Sequence, residues 1–279
     1  MRVSRYAYDG SQTVTDRHGP PARHAGRPNA PTPPKAVLLD CLGTLLDLAP
    51  PAPRLQRELA LRGIEVAEAV AEHAFRVEVA HYLTHHLEGR DDASVERLRD
   101  ACAAVTAEAL GQGRERVAAV RSALLAAISF VALPDAAPAL GALRAAGLRL
   151  VVASNWDCSL SRVLTDAGLG SLLDGVVTSA DVGAPKPARP VFDAALDLAG
   201  CRPEEAVLIG DSLEHDVAGA RAVGIEAILL ARASEPAVEH PDVTVARSLD
   251  AAGSLILARV IGGSAPTPAE DGPPGSARR

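Results

Sequence analysis

The chain has 279 residues, 48% of them hydrophobic and 23% charged, so it can bury one good core, or a core and a small accessory domain, and it is not a disordered protein. A formal net charge of −7 and an aromatic content of 3% provide neither the basic face nor the stacking side chains that a nucleic-acid partner requires. The sequence has neither an apolar run of roughly 20 residues nor the start of a signal peptide, so we expect no membrane partner and a cytoplasmic location.

The two ends of the chain differ in composition from its middle. Residues 1–34 are rich in Pro, Gly and Arg without apolar periodicity, and residues 262–279 have the same character. Such segments bury too little apolar surface to offset the entropy lost when a chain becomes ordered. We therefore predict a disordered arm, a folded body and a disordered tail.

The folded body begins with a predicted strand. The run AVLLD at residues 36–40 is apolar and has the length of a buried parallel strand. From about residue 48 to residue 133 the sequence has several helical patterns and no strand pattern. We predict that residues 48–133 form an all-helical domain inserted after the first strand, here called the cap, with its two ends close together.

Strand and helix patterns alternate after the cap. Helical patterns lie between apolar runs at 148–154, 175–179, 206–210 and 225–230, with a weaker run at 242–246. This alternation predicts a doubly wound, Rossmann-like α/β core with a parallel sheet covered on both faces, formed by residues 35–47 and 134–261. Ligands of such sheets bind at the carboxyl ends of the strands.

Polar side chains occur near those predicted strand ends, and their chemistry fits the transfer of a phosphoryl group. They are Asp40, Thr44, Ser154, Asn155, Lys186, Asp211 and Asp216. Asp40 and Asp211 could provide the oxygen ligands that Mg²⁺ prefers, and Asp216 could orient its waters. Lys186, one of only two lysines in the chain, could neutralise a phosphoryl group together with the Ser154 hydroxyl. A carboxylate can also be a covalent nucleophile, and Asp40 has the position for that role.

Four segments carry a resemblance to a known family. VLLDCLGTLLD, SNWD, APKP and GDSLEHDVAGARAVG resemble, in order and spacing, the four motifs of the haloacid dehalogenase superfamily. The resemblance spans about residues 35–235. The helical insert is similar to the cap of the subfamily in which the cap follows the first strand.

The resemblance implies a role for each matching residue. Asp40 would be the nucleophile and would form an aspartyl-phosphate intermediate. Ser154, Asn155 and Lys186 would hold the transferring group, and Thr44 would assist the first loop in binding substrate. The Mg²⁺ ligands would be Asp40, the backbone carbonyl of Leu42, Asp211 and Asp216. The expected substrate is a small anionic molecule carrying a phosphate.

Leu42 is the main departure from the family pattern. Phosphatases of the superfamily usually have a second Asp two residues after the nucleophile, which protonates the leaving group and activates water. Such acid–base assistance is typically worth roughly 100-fold to 10,000-fold in rate. We therefore expect a hydrolase that works without this Asp.

Other functions remain open. In 2-haloacid dehalogenases an aromatic residue commonly replaces the second Asp, no metal is needed, and Ser usually stands in place of Asp211. Without a cation Asp211 would repel a carboxylate substrate, so its presence favours Mg²⁺ and phosphate. Phosphonoacetaldehyde hydrolases also lack the second Asp, but they use a cap lysine that forms a Schiff base. No lysine lies between Lys35 and Lys186, which excludes that reaction. A weakly active or non-catalytic protein that binds phosphate or a partner is the third alternative. Monomer and homodimer are both compatible with the sequence.

Overall fold

A parallel six-stranded sheet forms the centre of the computed structural model, which describes residues 33–232 and 242–262. Its strand order is β5-β4-β1-β6-β7-β8, and every neighbouring pair is parallel. A separate pair, β2 and β3, is antiparallel. The strands in chain order are β1 (Ala36–Leu39), β2 (Leu46–Leu48), β3 (Phe130–Ala132), β4 (Arg149–Ser154), β5 (Gly175–Thr178), β6 (Ala206–Gly210), β7 (Glu226–Leu230) and β8 (Thr244–Ala246).

The helices of the described residues fall into two groups along the chain. Four lie within the cap: α1 (Pro51–Ala60), α2 (Glu68–His85), α3 (Asp92–Ala109) and α4 (Val117–Ala127). Six belong to the core: α5 (Ala136–Ala145), α6 (Leu160–Asp166), α7 (Ser179–Val182), α8 (Arg189–Ala199), α9 (Gly219–Ala222) and α10 (Leu249–Gly262). A π-helical segment, Leu213–Ala218, directly precedes α9.

Both faces of the sheet are covered, which confirms the doubly wound α/β prediction. All four residues of β1 are fully buried, and successive side chains point to opposite faces. Val37 and Leu39 pack in a cluster with residues of α5 and α10, whereas Ala36 and Leu38 pack in another with residues of α8. A strand buried on both faces has no polar face, which is why β1 is a continuous apolar run.

The cap has a hydrophobic cluster of its own, built from all four of its helices. The chain leaves the core through β2 and returns through β3, and the pairing of Leu48 with Phe130 brings the two ends together. No pattern in the sequence predicts this pair, because three-residue strands are too short to show a period.

Two of the predicted segments cannot be compared in full. Nearly all of the arm, residues 1–34, and of the tail, residues 262–279, lies outside the described residues. The boundaries between core and cap stay predictions, and the order of the elements agrees with them.

Candidate active site

Asp40 lies directly after β1, in the middle of the sheet. Because β1 lies between β4 and β6, the ends of three strands meet around its carboxylate. Its backbone N–H donates to the carbonyl of Ile209 over 2.9 Å, which continues the ladder with β6. The Ser154 hydroxyl, at the end of β4, donates to Asp40 Oδ1 over 3.2 Å.

Lys186 is held against two carboxylates. Its Nζ lies 2.6 Å from Asp40 Oδ1 and 2.5 Å from Asp216 Oδ1, and its side chain is only 2% exposed. Burial disfavours the ammonium, but the charges of Asp216 and Asp40 outweigh it and raise the pKa of Lys186. Burial likewise raises the pKa of Asp40, an effect that Lys186 opposes. Lys186 therefore places a positive charge beside the carboxylate of Asp40.

Asn155 positions the loop that carries Lys186. Its side-chain carbonyl accepts from the Lys186 backbone N–H over 2.7 Å, and its amide donates to the Lys186 carbonyl over 3.1 Å. These two bonds fix the backbone of Lys186 against the end of β4. A direct contact between Asn155 and the substrate, as the resemblance implies, stays a prediction.

Three carboxylates form a group that could hold a metal ion. One oxygen from each of Asp40, Asp211 and Asp216 lies within 4.8 Å of the others. An all-oxygen donor set at one sheet edge suits Mg²⁺. Asp216 is oriented by the backbone N–H of Ser212, which donates to its Oδ2 over 3.0 Å.

Gly43 makes room for this group. Its φ is +88°, and a Cβ there would lie 2.0 Å from Asp211 Oδ2, so any side chain would collide with the carboxylate. Only glycine therefore fits at position 43, because the loop passes so close to Asp211.

Leu42 and Thr44 lie on different sides of that loop. The Leu42 side chain lines a cavity above Asp40, whereas Thr44 is fully buried and is not among the residues that line the cavity. The Thr44 hydroxyl has no hydrogen-bond partner among the described residues. A substrate contact by Thr44 therefore remains a prediction that the geometry does not support.

The cavity has a volume of about 590 Å³ and lies between the sheet edge and the cap. Its floor includes Asp40, Lys186, Asp211 and Asp216, and its other side is formed mainly by α2, α3 and α4. A volume of this size suits a small-molecule ligand.

Sequence reasoning missed several polar cap residues that line this cavity, among them Glu78 and Tyr82. Glu78 is 6% exposed, and burial raises its pKa to about 7. The Tyr82 hydroxyl donates to Asp157 Oδ2 over 3.0 Å and so connects the cap to the second motif. A signal was available, because Glu78 lies three residues after Phe75 and four before Tyr82, on the buried stripe of α2.

Comparisons with known proteins match the chain to one family model and to several relatives. A family model described as haloacid dehalogenase-like hydrolase matches residues 34–224. The bovine (Bos taurus) haloacid dehalogenase-like hydrolase domain-containing protein 3 is 42% identical over 99 residues, which are 36% of this chain and 39% of that protein. The ribulose-1,5-bisphosphate 5-phosphatase of Halopiger xanaduensis is 38% identical over 109 residues, 39% of this chain and 45% of that protein. The chain thus covers less than half the length of these curated relatives.

Solved structures match over most of the chain. The HAD phosphatase of Thermococcus onnurineus is 25% identical, with a TM-score of 0.50 over 82% of this chain and 98% of that one. The L-2-haloacid dehalogenase of Xanthobacter autotrophicus is 22% identical, with a TM-score of 0.57 over 83% of this chain and 100% of that one, and shares the fold. Within the described residues, no helix is both long and apolar enough to cross a membrane.

Proposed function

The chain belongs to the haloacid dehalogenase-like hydrolases, and from that premise we propose that it is a Mg²⁺-dependent phosphatase of a small phosphorylated molecule, with Asp40 as its nucleophile. The observation that carries the proposal is the group of Asp40, Asp211 and Asp216, of which Asp40 and Asp216 also contact Lys186. Three carboxylates and one ammonium leave a surplus of negative charge, which a divalent cation would balance. The names of the phosphatase relatives support a phosphorylated substrate.

The proposed reaction has two steps at Asp40. In the first, one carboxylate oxygen forms a bond to phosphorus while the bond from phosphorus to the leaving-group oxygen breaks. In the second, water attacks the phosphorus of the aspartyl phosphate, which releases inorganic phosphate and restores the Asp40 carboxylate.

Lys186 and Ser154 would act on the charge of the phosphoryl group. A bound Mg²⁺, held by Asp40, Asp211 and Asp216, would supply further charge neutralisation to the phosphoryl oxygens. The Lys186 ammonium, already 2.6 Å from Asp40, would stay within reach of those oxygens during transfer. The Ser154 hydroxyl, which donates to Asp40, could turn to a phosphoryl oxygen instead.

Leu42 cannot act as a general acid or a general base. An alkyl side chain can neither protonate the leaving group nor remove a proton from water. Substrates whose leaving groups depart readily as anions, such as acyl and aryl phosphates, would therefore react faster than alkyl phosphates.

Dehalogenation is the second candidate function, and the apolar side chain at position 42 favours it. In that reaction Asp40 would attack carbon and displace a halide, with no metal required. Asp211 argues against it, because an additional carboxylate without a cation would repel the carboxylate of a 2-haloacid.

The test compares phosphate and halide release with and without metal. We expect the purified protein to release phosphate from acetyl phosphate with Mg²⁺, to stop in EDTA and to recover when Mg²⁺ is restored. Chloride release from 2-chloropropionate that persists in EDTA would favour the second function. Phosphate release that is unaffected by EDTA would contradict the metal dependence.

A further inference from the structure

The cap side of the cavity is lined mainly by apolar side chains, whereas its floor is lined by charged ones. Six side chains form what we call the apolar wall, and they come from α2, α3, α4 and the segment that follows α4. The apolar wall consists of Phe75, Val79, Leu98, Leu124, Ile128 and Phe130.

The apolar wall continues across the cavity to the core. The ring of Phe130 meets the ring of Trp156 edge-on, with centroids 4.8 Å apart. Leu42 also lines the cavity and packs against the hydrophobic cluster that contains Trp156, so an apolar surface begins two residues after the nucleophile. A leaving group that extends from Asp40 towards the cap would therefore meet apolar side chains.

The arginine and lysine side chains that line the cavity are already paired with carboxylates. Among the described lining residues, the guanidinium groups are those of Arg99 and Arg232. Arg99 donates to Glu96 over 2.7 Å, and Arg232 makes two bonds to Asp135 at 3.1 and 2.9 Å. Lys186 lies at the floor between two carboxylates. A second anionic group on the substrate would thus have to compete with the carboxylates that already pair with these three side chains.

The carboxyl groups that line the cavity reinforce this preference. Glu78 lies on the cap side of the cavity, and Asp157 lies in the second motif. Neither is a proposed metal ligand. A carboxylate or a second phosphate on the substrate would be repelled by Asp157, and by Glu78 once the pH rises above its pKa of about 7. An uncharged leaving group would not.

We propose that the substrate is a phosphate monoester whose leaving group is an apolar chain or ring that carries no second anionic group, and that the apolar wall binds this leaving group. The inference rests on the proposed phosphatase function. It differs in chemistry from the bisphosphate named for one relative, which would bring a second phosphate into the cavity.

The test is a chain-length series of linear alkyl phosphates from ethyl to octyl, measured with Mg²⁺. The leaving alcohols have nearly the same acidity, so differences in rate report binding of the chain. Burial of one CH₂ group is worth about 0.8 kcal/mol, so we expect kcat/KM to rise about threefold to fourfold per carbon until the apolar wall is covered. Glycerol 3-phosphate and O-phosphoserine should be poorer substrates than propyl phosphate.

Val79→Thr assigns the effect to the apolar wall. Threonine has nearly the shape of valine, so the half-buried site should fold, while its hydroxyl makes the wall less apolar. We expect the ratio of kcat/KM for hexyl over ethyl phosphate to fall about threefold, the effect of roughly one methylene. Val70→Thr is the matched control, because Val70 lies on the same helix, is 38% exposed and is not among the cavity residues.

Acetyl phosphate separates the failure of this inference from the failure of the proposed function. A flat chain-length profile, a preference for O-phosphoserine, or no turnover of any alkyl phosphate, with acetyl phosphate still hydrolysed, would overturn the apolar leaving group alone. An unchanged hexyl-to-ethyl ratio in Val79→Thr would overturn the assignment to the apolar wall. Absence of turnover for acetyl phosphate and for every ester would overturn both.

Discussion

The floor of the cavity and its apolar wall hold their side chains by different forces. At the floor, Lys186 is held by short bonds to Asp40 and Asp216, and Asn155 fixes its backbone. The side chains of the apolar wall are held mainly by packing in the cap. Directional bonds tolerate little change, whereas packed apolar positions accept other side chains of similar volume. The floor can therefore keep one chemistry while the apolar wall adapts to different leaving groups.

The largest expected effect comes from Asp40→Asn, at the centre of the floor. The amide has nearly the same volume but is a poor nucleophile, so we expect phosphate release to fall by at least about a thousandfold. The melting temperature should change little. Asp197→Asn is the matched control, because Asp197 is exposed on α8. Substantial turnover by Asp40→Asn would remove Asp40 from the mechanism.

The two lysines of the chain allow a direct comparison of buried and exposed charge. In Lys186→Ala, Asp40 and Asp216 lose the ammonium between them, which should cost about 3–5 kcal/mol of unfolding free energy as well as most activity. Lys35→Ala breaks an ion pair with Glu205 in which the lysine side chain is 65% exposed, and should cost about 1 kcal/mol or less.

Denaturant unfolding of both lysine variants measures this difference. Equal losses of stability would show that Lys186 is no more than a surface lysine. Lys186→Arg should rescue activity poorly, because a planar guanidinium does not fit the place of a point charge between two carboxylates.

Glu78 is a buried carboxyl group on the cap side, and its effect on stability depends on pH. Burial raises its pKa from 4.5 to about 7, so the folded protein holds this proton more tightly than the unfolded chain does. Its contribution to stability is complete below pH 4.5 and is lost as the pH rises through about 7. The shift corresponds to about 3 kcal/mol.

Glu78→Gln tests this pH dependence, since the amide carries no charge. We expect the variant to match the wild type near pH 4.5 and to be more stable than the wild type by up to about 3 kcal/mol at pH 8. Glu65→Gln, at an exposed position before α2, should show no such trend. A constant difference between Glu78→Gln and the wild type across this range would mean that Glu78 ionises normally.

The smallest effect is expected at Leu42, where the floor and the apolar wall meet. Leu42→Asp adds a possible acid and base, so turnover of alkyl phosphates should rise about tenfold more than turnover of aryl phosphates, whose leaving groups need little protonation. Comparing the two substrate classes in one variant cancels changes in folding and metal affinity. Equal gains for both classes would mean that position 42 does not face the leaving group.

The order of the core and several site contacts were predictable because they depend on local patterns. Apolar runs that alternate with helical patterns predicted the parallel sheet, and its strand order brings Asp40, Ser154 and Asp211 to one edge. The β2–β3 pair was missed because each strand has three residues. The link from Tyr82 to Asp157 spans 75 positions along the chain, and no periodicity records such a contact.

The sequence by itself determined the family, the sheet and the residue types at the strand ends, because strand period, glycine placement and motif spacing are properties of short segments. Only the tertiary structure decided what surrounds them. It assigned Asn155 to the backbone of Lys186, buried Thr44 away from the cavity and brought Phe75, Val79 and Leu124 over Asp40. Those arrangements depend on how the cap packs against the sheet edge, and packing is set by side-chain volumes that meet across long distances in sequence.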